Sequence, residues 1–326
     1  MSRSIAPASE PPEPFPLRHV ADVAPQPAAE RWLIDSLWLA AGVGLLGGAP
    51  KVCKTFLAAE LALAVAAGAS ALGRYAVHAP GAVLFYGAED SLAALRVRFE
   101  GLARARGLLL DSLPLYLLDV PVLRLERQHD LRRLRAAIEQ CHPRLLVLDP
   151  FVRIAHIDEN SAQEVSAVLG SLRAIQRDYD LAVLIVHHAR KTPAANPALT
   201  LRGSSDFAAW SDSNLYLARR SRRLTLYLEH RSAAAPEPLD LRLLTDPAPH
   251  LAVLDDPDQL EAGDAIDPLQ IELLDLLAAA NGPLPTLELR RRLGKRKQDV
   301  VRALADLEAQ RRLRRTARGW IPDEPS

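Results

Sequence analysis

The sequence predicts an α/β fold, a mainly parallel sheet with an antiparallel edge, followed by a small domain of three helices and a β-wing. Three observations predict it. Short, near-continuous apolar runs alternate with helical patterns from Trp32 to about Leu254, as expected of parallel strands covered on both faces. The first of these runs enters a turn carrying Gly48, Lys54 and Thr55 and leaves it as a helix. A segment rich in Asp, Pro, Gly and Glu, residues 255–267, then breaks the apolar periodicity before a second helical pattern begins.

In chain order, residues 1–28 hold seven of the 25 prolines and few large apolar side chains, a composition that predicts a disordered tail. Strands are read at Gly42–Gly47, Ala82–Tyr86, Leu115–Leu118, Leu145–Leu148 and Leu181–Val186. The intervening helices centre on Thr55–Ala67, Leu92–Arg106, Asp130–Cys141 and Ser161–Asp178. Hairpin-like runs at Leu215–Ala218, Leu224–Glu229 and Leu239–Leu244 supply the antiparallel edge. The first domain is therefore placed at 29–254, a linker at 255–267 and the second domain at 268–323.

Composition narrows the function classes. A chain of 326 residues predicts about two domains. With 40 basic against 40 acidic residues and 49% hydrophobic content, it is neither a basic tail protein nor an acidic disordered chain. The longest apolar stretch, Phe56 to Leu72, contains Glu60 and is shorter than the ~20 residues of a membrane span, so it reads as a buried helix and no membrane is expected. The N-terminus runs straight into prolines without an apolar segment, which predicts a cytoplasmic protein. Cys53 and Cys141 are too few for a disulfide framework, and the histidines and cysteines form no metal-ligand spacing. Lys51, Lys54, Lys191, Lys295 and Lys297 are the only lysines beside 35 arginines, which marks these positions as candidates for a role that uses a compact ammonium rather than a planar fork.

The run Gly48-Ala49-Pro50-Lys51-Val52-Cys53-Lys54-Thr55, between a strand and a helix, has the context of a phosphate-binding loop. Its backbone N–H groups and the helix N-terminus favour phosphates, Lys54 reaches the terminal phosphates of ATP, and the Thr55 hydroxyl joins Mg²⁺. Cys53 stands where this pattern has glycine. If the position needs a positive φ, a Cβ there costs on the order of 1 kcal/mol. Two further strands end in acids. Arg144–Asp149 delivers Asp149 as the Mg²⁺ carboxylate, and Ala82–Asp90 delivers Glu89 to polarise the attacking water. The competing readings are a strand-ending turn at Asp149 and an N-cap at Asp90.

Taken in order, the loop, Tyr86-Gly87-Ala88-Glu89-Asp90, Leu145–Asp149, Val186–Lys191 and Leu201–Ser205 resemble RecA-like ATPases of the RepA-type and replicative-helicase-like group. The resemblance covers roughly Trp32 to Leu244 and implies a RecA-like P-loop core. It implies that Glu89 is the catalytic glutamate and that His188, or alternatively His187, senses the γ-phosphate. It implies DNA contacts at Lys191 and Arg202 on loops facing a ring channel. It also implies an arginine finger acting on the neighbouring subunit at Arg231, with Arg219, Arg220, Arg222 and Arg223 as competitors. Homo-oligomeric rings, typically hexamers, with single-stranded DNA in the channel follow from the same likeness.

After residue 267, Pro268–Ala280 is amphipathic, Thr286–Leu293 is a short helix with Thr286 as its expected N-cap, and Lys297–Gln310 is a longer helix with Val300, Leu304 and Leu307 inward. A wing around Ala317-Arg318-Gly319 completes a pattern that resembles a winged helix-turn-helix. Residues 268–322 carry twelve basic against six acidic side chains. Lys295, Lys297, Arg302 and Arg318 are the expected duplex DNA contacts. The combined expectation is an ATP- and Mg²⁺-dependent DNA motor, a helicase or loader in replication of a plasmid, phage or mobile element. The alternatives are a DNA-binding regulator that uses nucleotide as a switch, and a ring that recruits protein partners.

Overall fold

A computed structural model describes residues 16–323 except 26, 159–160, 189–204, 221–222, 245–246, 255–267, 279 and 281. The expected linker, 255–267, and the expected DNA contacts Lys191 and Arg202 lie outside the described residues.

After two 3-10 turns, Val20–Asp22 and Ala28–Arg31, comes a two-stranded ribbon, β1 (Trp32–Ile34) with β2 (Trp38–Leu39). The central sheet is formed by β3 (Val43–Gly48), β4 (Val83–Gly87), β5 (Leu115–Leu117), β6 (Leu145–Asp149), β7 (Ala182–His188), β8 (Ser213–Arg220), β9 (Arg223–His230), β10 (Leu239–Leu244) and β11 (His250–Val253). Its strand order is β11-β10-β9-β8-β3-β7-β6-β4-β5. The pairs from β5 through to β8 are parallel and those from β8 to β11 antiparallel. The run expected to begin the antiparallel edge, Leu215–Ala218, thus has two characters. It is parallel to β3 on one side and antiparallel to β9 on the other.

Helices cover both faces, as the apolar runs require. Along each strand alternate residues enter opposite cores. Phe85, Val147 and Leu184 join the cluster under α1 (Lys54–Ala67) and α2 (Leu92–Ala105), while Leu84, Leu148 and Ile185 join the cluster under α3 (Gln128–Cys141) and α5 (Ala162–Tyr179). Between β6 and α5 lies the short α4 (Phe151–Ile154), and α6 (Ser205–Trp210) precedes β8. The helix α1 is apolar almost all round and buried accordingly. Its one acid, Glu60, is fully buried, pairs with Arg106 and accepts the Leu72 N–H at 3.0 Å.

Close strand approach explains a glycine. A Cβ on Gly44 would sit 1.6 Å from the Ser213 carbonyl oxygen, so β8 reaches β3 only because Gly44 has no side chain.

The C-terminal part consists of α7 (Pro268–Ala278), α8 (Thr286–Leu293), α9 (Lys297–Ala309) and the hairpin β12 (Leu313–Thr316) with β13 (Gly319–Pro322). Leu273, Leu289, Val300, Leu304, Leu307 and Trp320 form its own core. Thr286 does not cap α8 as expected: Pro285 occupies the cap position, and the Thr286 hydroxyl instead accepts the Trp320 indole N–H at 3.0 Å. Helix α7 also turns Ile271 into the cluster of α1 and α2, tying this part to the sheet.

Candidate functional site

The loop lies where β3 ends between β7 and β8. Gly48 is in register with His188 of β7 and Leu217 of β8, which sets the loop at the C-terminal edge of the parallel strands. This edge, where strand order reverses around β3, is the position at which open α/β sheets place ligands.

Cys53 precedes α1 in the left-handed region, at φ 65 and ψ 27. The positive φ expected of that position is real. Its side chain packs against the α1 core rather than standing free. Burial pushes the thiol up to about 11, with Arg219, Arg98 and Lys54 pulling against this and Glu272 adding to it. Cys53 is therefore a protonated, packed thiol near neutral pH and not a nucleophile.

The Lys54 side chain, 4% exposed, folds back on the loop, its Nζ donating to the carbonyls of Gly48 at 3.0 Å and Ala49 at 2.8 Å. Burial pulls its ammonium down to about 8, opposed by Asp149 and Glu89. Asp149, 5% exposed at the end of β6, is pushed up to about 6 by burial; a hydrogen bond from the Thr55 hydroxyl opposes the rise, Asp90 adds to it, and Arg98 and Lys54 lower it. Its Oδ2 is buried without a hydrogen-bond partner among the described residues. A buried orphan carboxylate oxygen beside a hydroxyl suits a hydrated Mg²⁺, so the donor set fits the ion that ATP chemistry requires.

Gly87 at the end of β4 is in register with Asp149, which brings Glu89 and Asp90 to the same edge. Glu89 is exposed and accepts from Arg153 Nε at 3.1 Å. Asp90 is not the cap of α2: Ser91 is, accepting from the Ala94 N–H at 3.2 Å.

The two histidines of β7 separate. His187 packs its ring 4.7 Å from Phe207 and 5.9 Å from Phe151, measured between centroids. His188 faces the charges of Lys54, Glu89 and Arg153, and burial draws its pKa below the usual imidazole range, so it is neutral near pH 7. Its Nδ1 is buried without a hydrogen-bond partner among the described residues. Of the two histidines left open by the sequence, His188 is the one beside the charged groups of this edge.

Arg231 lies at the other end of the sheet. Ser213 is in register with both Gly44 and His230, so Arg231 sits by the start of β3 and far from its own loop. It is 3.8 Å from Asp212, which also accepts from Arg173 at 2.5 Å and from the Val43 N–H at 3.1 Å. The hairpin side carrying Arg219 is on the loop's edge instead.

Of the expected DNA contacts, Lys297, Arg302 and Arg318 are exposed, at the start of α9, one turn on, and in the β12–β13 turn. Lys295 is different: its side chain is 11% exposed and bound to Glu272 at 2.6 Å, turned inward rather than offered to a ligand. The Glu60–Arg106 pair and the Arg98 pairs with Asp90 and Asp275 were not anticipated, since nothing in local spacing links those residues.

The loop geometry carries a prediction. Because Cys53 is already left-handed with its side chain packed on the core, its strain weighs on folding and not on binding. Cys53→Gly should leave ATP turnover within about twofold, the scale of ~0.5 kcal/mol, in a steady-state assay. A many-fold gain would instead favour a nucleotide switch silenced by Cys53.

A family profile described as AAA domain matches residues 9–194, more than half of the chain. No curated protein matches. Among solved structures, the chain is similar to an ATPase domain at 13% identity, covering 63% of this chain and 82% of that one, with a TM-score of 0.47. It is similar to a DnaB-like replicative helicase described with its primase interactions, at 13% identity, 62% and 55% coverage, TM-score 0.46. A third is a KaiC-like protein from the hyperthermophilic archaeon Pyrococcus horikoshii, at 14% identity, 68% and 93% coverage, TM-score 0.46.

Proposed function

We propose, for a chain that belongs to the AAA domain family, that its ATPase site drives a RecA-like motor on DNA, of the RepA-type or replicative-helicase-like kind. The observation that supports this most is the convergence of the Lys54 loop, Asp149, Glu89 and His188 at the ends of four neighbouring strands. In this reading the loop from Gly48 through Ala49, Pro50, Lys51, Val52 and Cys53 to Thr55 cradles the phosphates through the backbone N–H groups of its residues other than Pro50. Lys54 leaves its two carbonyl partners to meet the terminal phosphates. Thr55 and Asp149 would hold Mg²⁺, which supplies charge neutralisation of the β- and γ-phosphates when bound. Glu89 orients the attacking water and draws its proton, and His188 Nδ1 meets the γ-phosphate.

Arg231 cannot reach its own loop, which favours a role in trans and therefore a ring, of the hexameric kind, as the working form. The C-terminal part, as a winged helix, offers Lys297, Arg302 and Arg318 to duplex DNA, while Lys191 and Arg202 are proposed to contact single-stranded DNA in the channel. A plasmid, phage or mobile-element replication role and a cytoplasmic setting complete the reading; among the described residues no helix is long and apolar enough to cross a membrane.

The test combines two inactive chains. Arg231→Ala and Lys54→Ala should each be inactive alone, and mixing them should restore part of the turnover, because some interfaces then join an intact loop to an intact finger. Single-stranded DNA should stimulate wild-type turnover, with stimulation falling as salt rises. No recovery on mixing removes the trans finger, and DNA-independent turnover at low salt removes the DNA motor.

A further inference from the structure

Helix α2 carries one arginine that touches both halves of the chain. Arg98, with its side chain 11% exposed, donates from Nη1 to Asp90 at 2.6 Å and from Nη2 to Asp275 at 3.2 Å. Asp90 follows Glu89 at the end of the catalytic strand, whereas Asp275 belongs to α7 of the C-terminal part. The guanidinium also lies 6.0 Å from the ring of Phe56, the residue after Thr55. Its charge is felt at Asp149 and Cys53, inside the nucleotide site.

Helix α7 brings negative charge to that same edge. Asp275 is 14% exposed and committed to Arg98, and Glu272, one turn earlier, adds negative potential at Cys53 while holding Lys295 at 2.6 Å. A nucleotide would bring its phosphates to the loop containing Cys53. Like charges in a partly water-excluded site repel strongly, and Asp275 holds part of the Arg98 guanidinium, whose charge reaches Cys53 and Asp149.

We propose that Arg98 is a positioning residue of the nucleotide site, sharing its guanidinium between Asp90 and Asp275 so that docking of α7 and binding of ATP oppose each other. The proposal rests on the reading of Gly48–Thr55 as a nucleotide loop. With α7 docked, Arg98 is divided between two carboxylates. With α7 released, it serves Asp90 alone and raises the positive potential at the loop. Linkage makes the effect mutual: whatever factor α7 costs nucleotide affinity, nucleotide costs α7 docking.

The experiment uses the full chain, titrated with a fluorescent non-hydrolysable ATP analogue and Mg²⁺, alongside amide hydrogen exchange of residues 270–278. In the wild type the analogue should speed exchange in α7. Asp275→Asn should speed that exchange without nucleotide and tighten the analogue by about fivefold, a gain that mere loss of structure does not give. Arg98→Met should weaken the analogue, and Arg98→Lys should recover part of the loss by keeping the charge. If the wild type binds the analogue while α7 exchange does not change, or if Asp275→Asn binds it no more tightly, the coupling is overturned and the nucleotide loop stands. A wild type that binds no analogue overturns the nucleotide reading and the coupling with it.

Discussion

Glu89→Gln is expected to keep ATP bound while kcat falls by about 10²–10⁴-fold, the range for losing a positioned general base. Glu89 is exposed, and its side-chain partner in the structure is Arg153 at 3.1 Å, so the change leaves the sheet and the loop intact. Gln retains the shape and a hydrogen-bonding oxygen but cannot take the proton of the attacking water. Lys54→Ala should behave differently, losing affinity and turnover together, because Lys54 is part of the loop itself. Single-turnover hydrolysis beside equilibrium binding separates the two effects. If Glu89→Gln kept turnover within tenfold, the base would have to be sought at another carboxylate of that edge, Asp90 first.

The largest stability effect is expected at Arg106. Its guanidinium is the charged partner of Glu60, which is fully buried in α1, and it also donates to the Ser70 carbonyl at 2.5 Å. Arg106→Ala leaves a carboxylate stranded in the helix that follows the phosphate loop. Removing one partner of a buried pair costs about 3–5 kcal/mol. Glu60→Met with Arg106→Met should recover most of that loss, since an apolar pair of similar volume needs no compensation, apart from the Leu72 N–H that Glu60 accepts. Urea unfolding of the three chains measures this. An Arg106→Ala midpoint equal to the wild type would show that Glu60 is satisfied or protonated without Arg106.

The residues that carry the proposed chemistry were legible because strand ends are legible. An apolar run closed by an acid marks the C-terminal edge of a parallel strand, and this located Asp149 and Glu89; the turn before Lys54-Thr55 located the loop. Cys53 was readable for the same reason, as a Cβ at a position whose φ is positive. What escaped depended on register or on distant partners. The side of the sheet on which Arg231 sits follows only from the pairing of β9 with β8 and β8 with β3. Strands β1, β2 and β11 are too short to give a period, and α4 is a single turn. Glu60 and Arg106 are far apart in the chain, and so are Arg98 of α2 and its partner Asp275 of α7. Lys295 reads as a surface cation because it lies in the turn between α8 and α9 and its partner Glu272 is distant in sequence, on α7.

The most direct single measurement is steady-state ATP hydrolysis by the wild-type chain beside Lys54→Ala, each with Mg²⁺ and then with chelator. Turnover that requires Mg²⁺ and is lost in Lys54→Ala is the expected result. A wild-type chain with no turnover, or a Lys54→Ala chain as active as the wild type, would contradict the assignment of Gly48–Thr55 as the site of ATP hydrolysis.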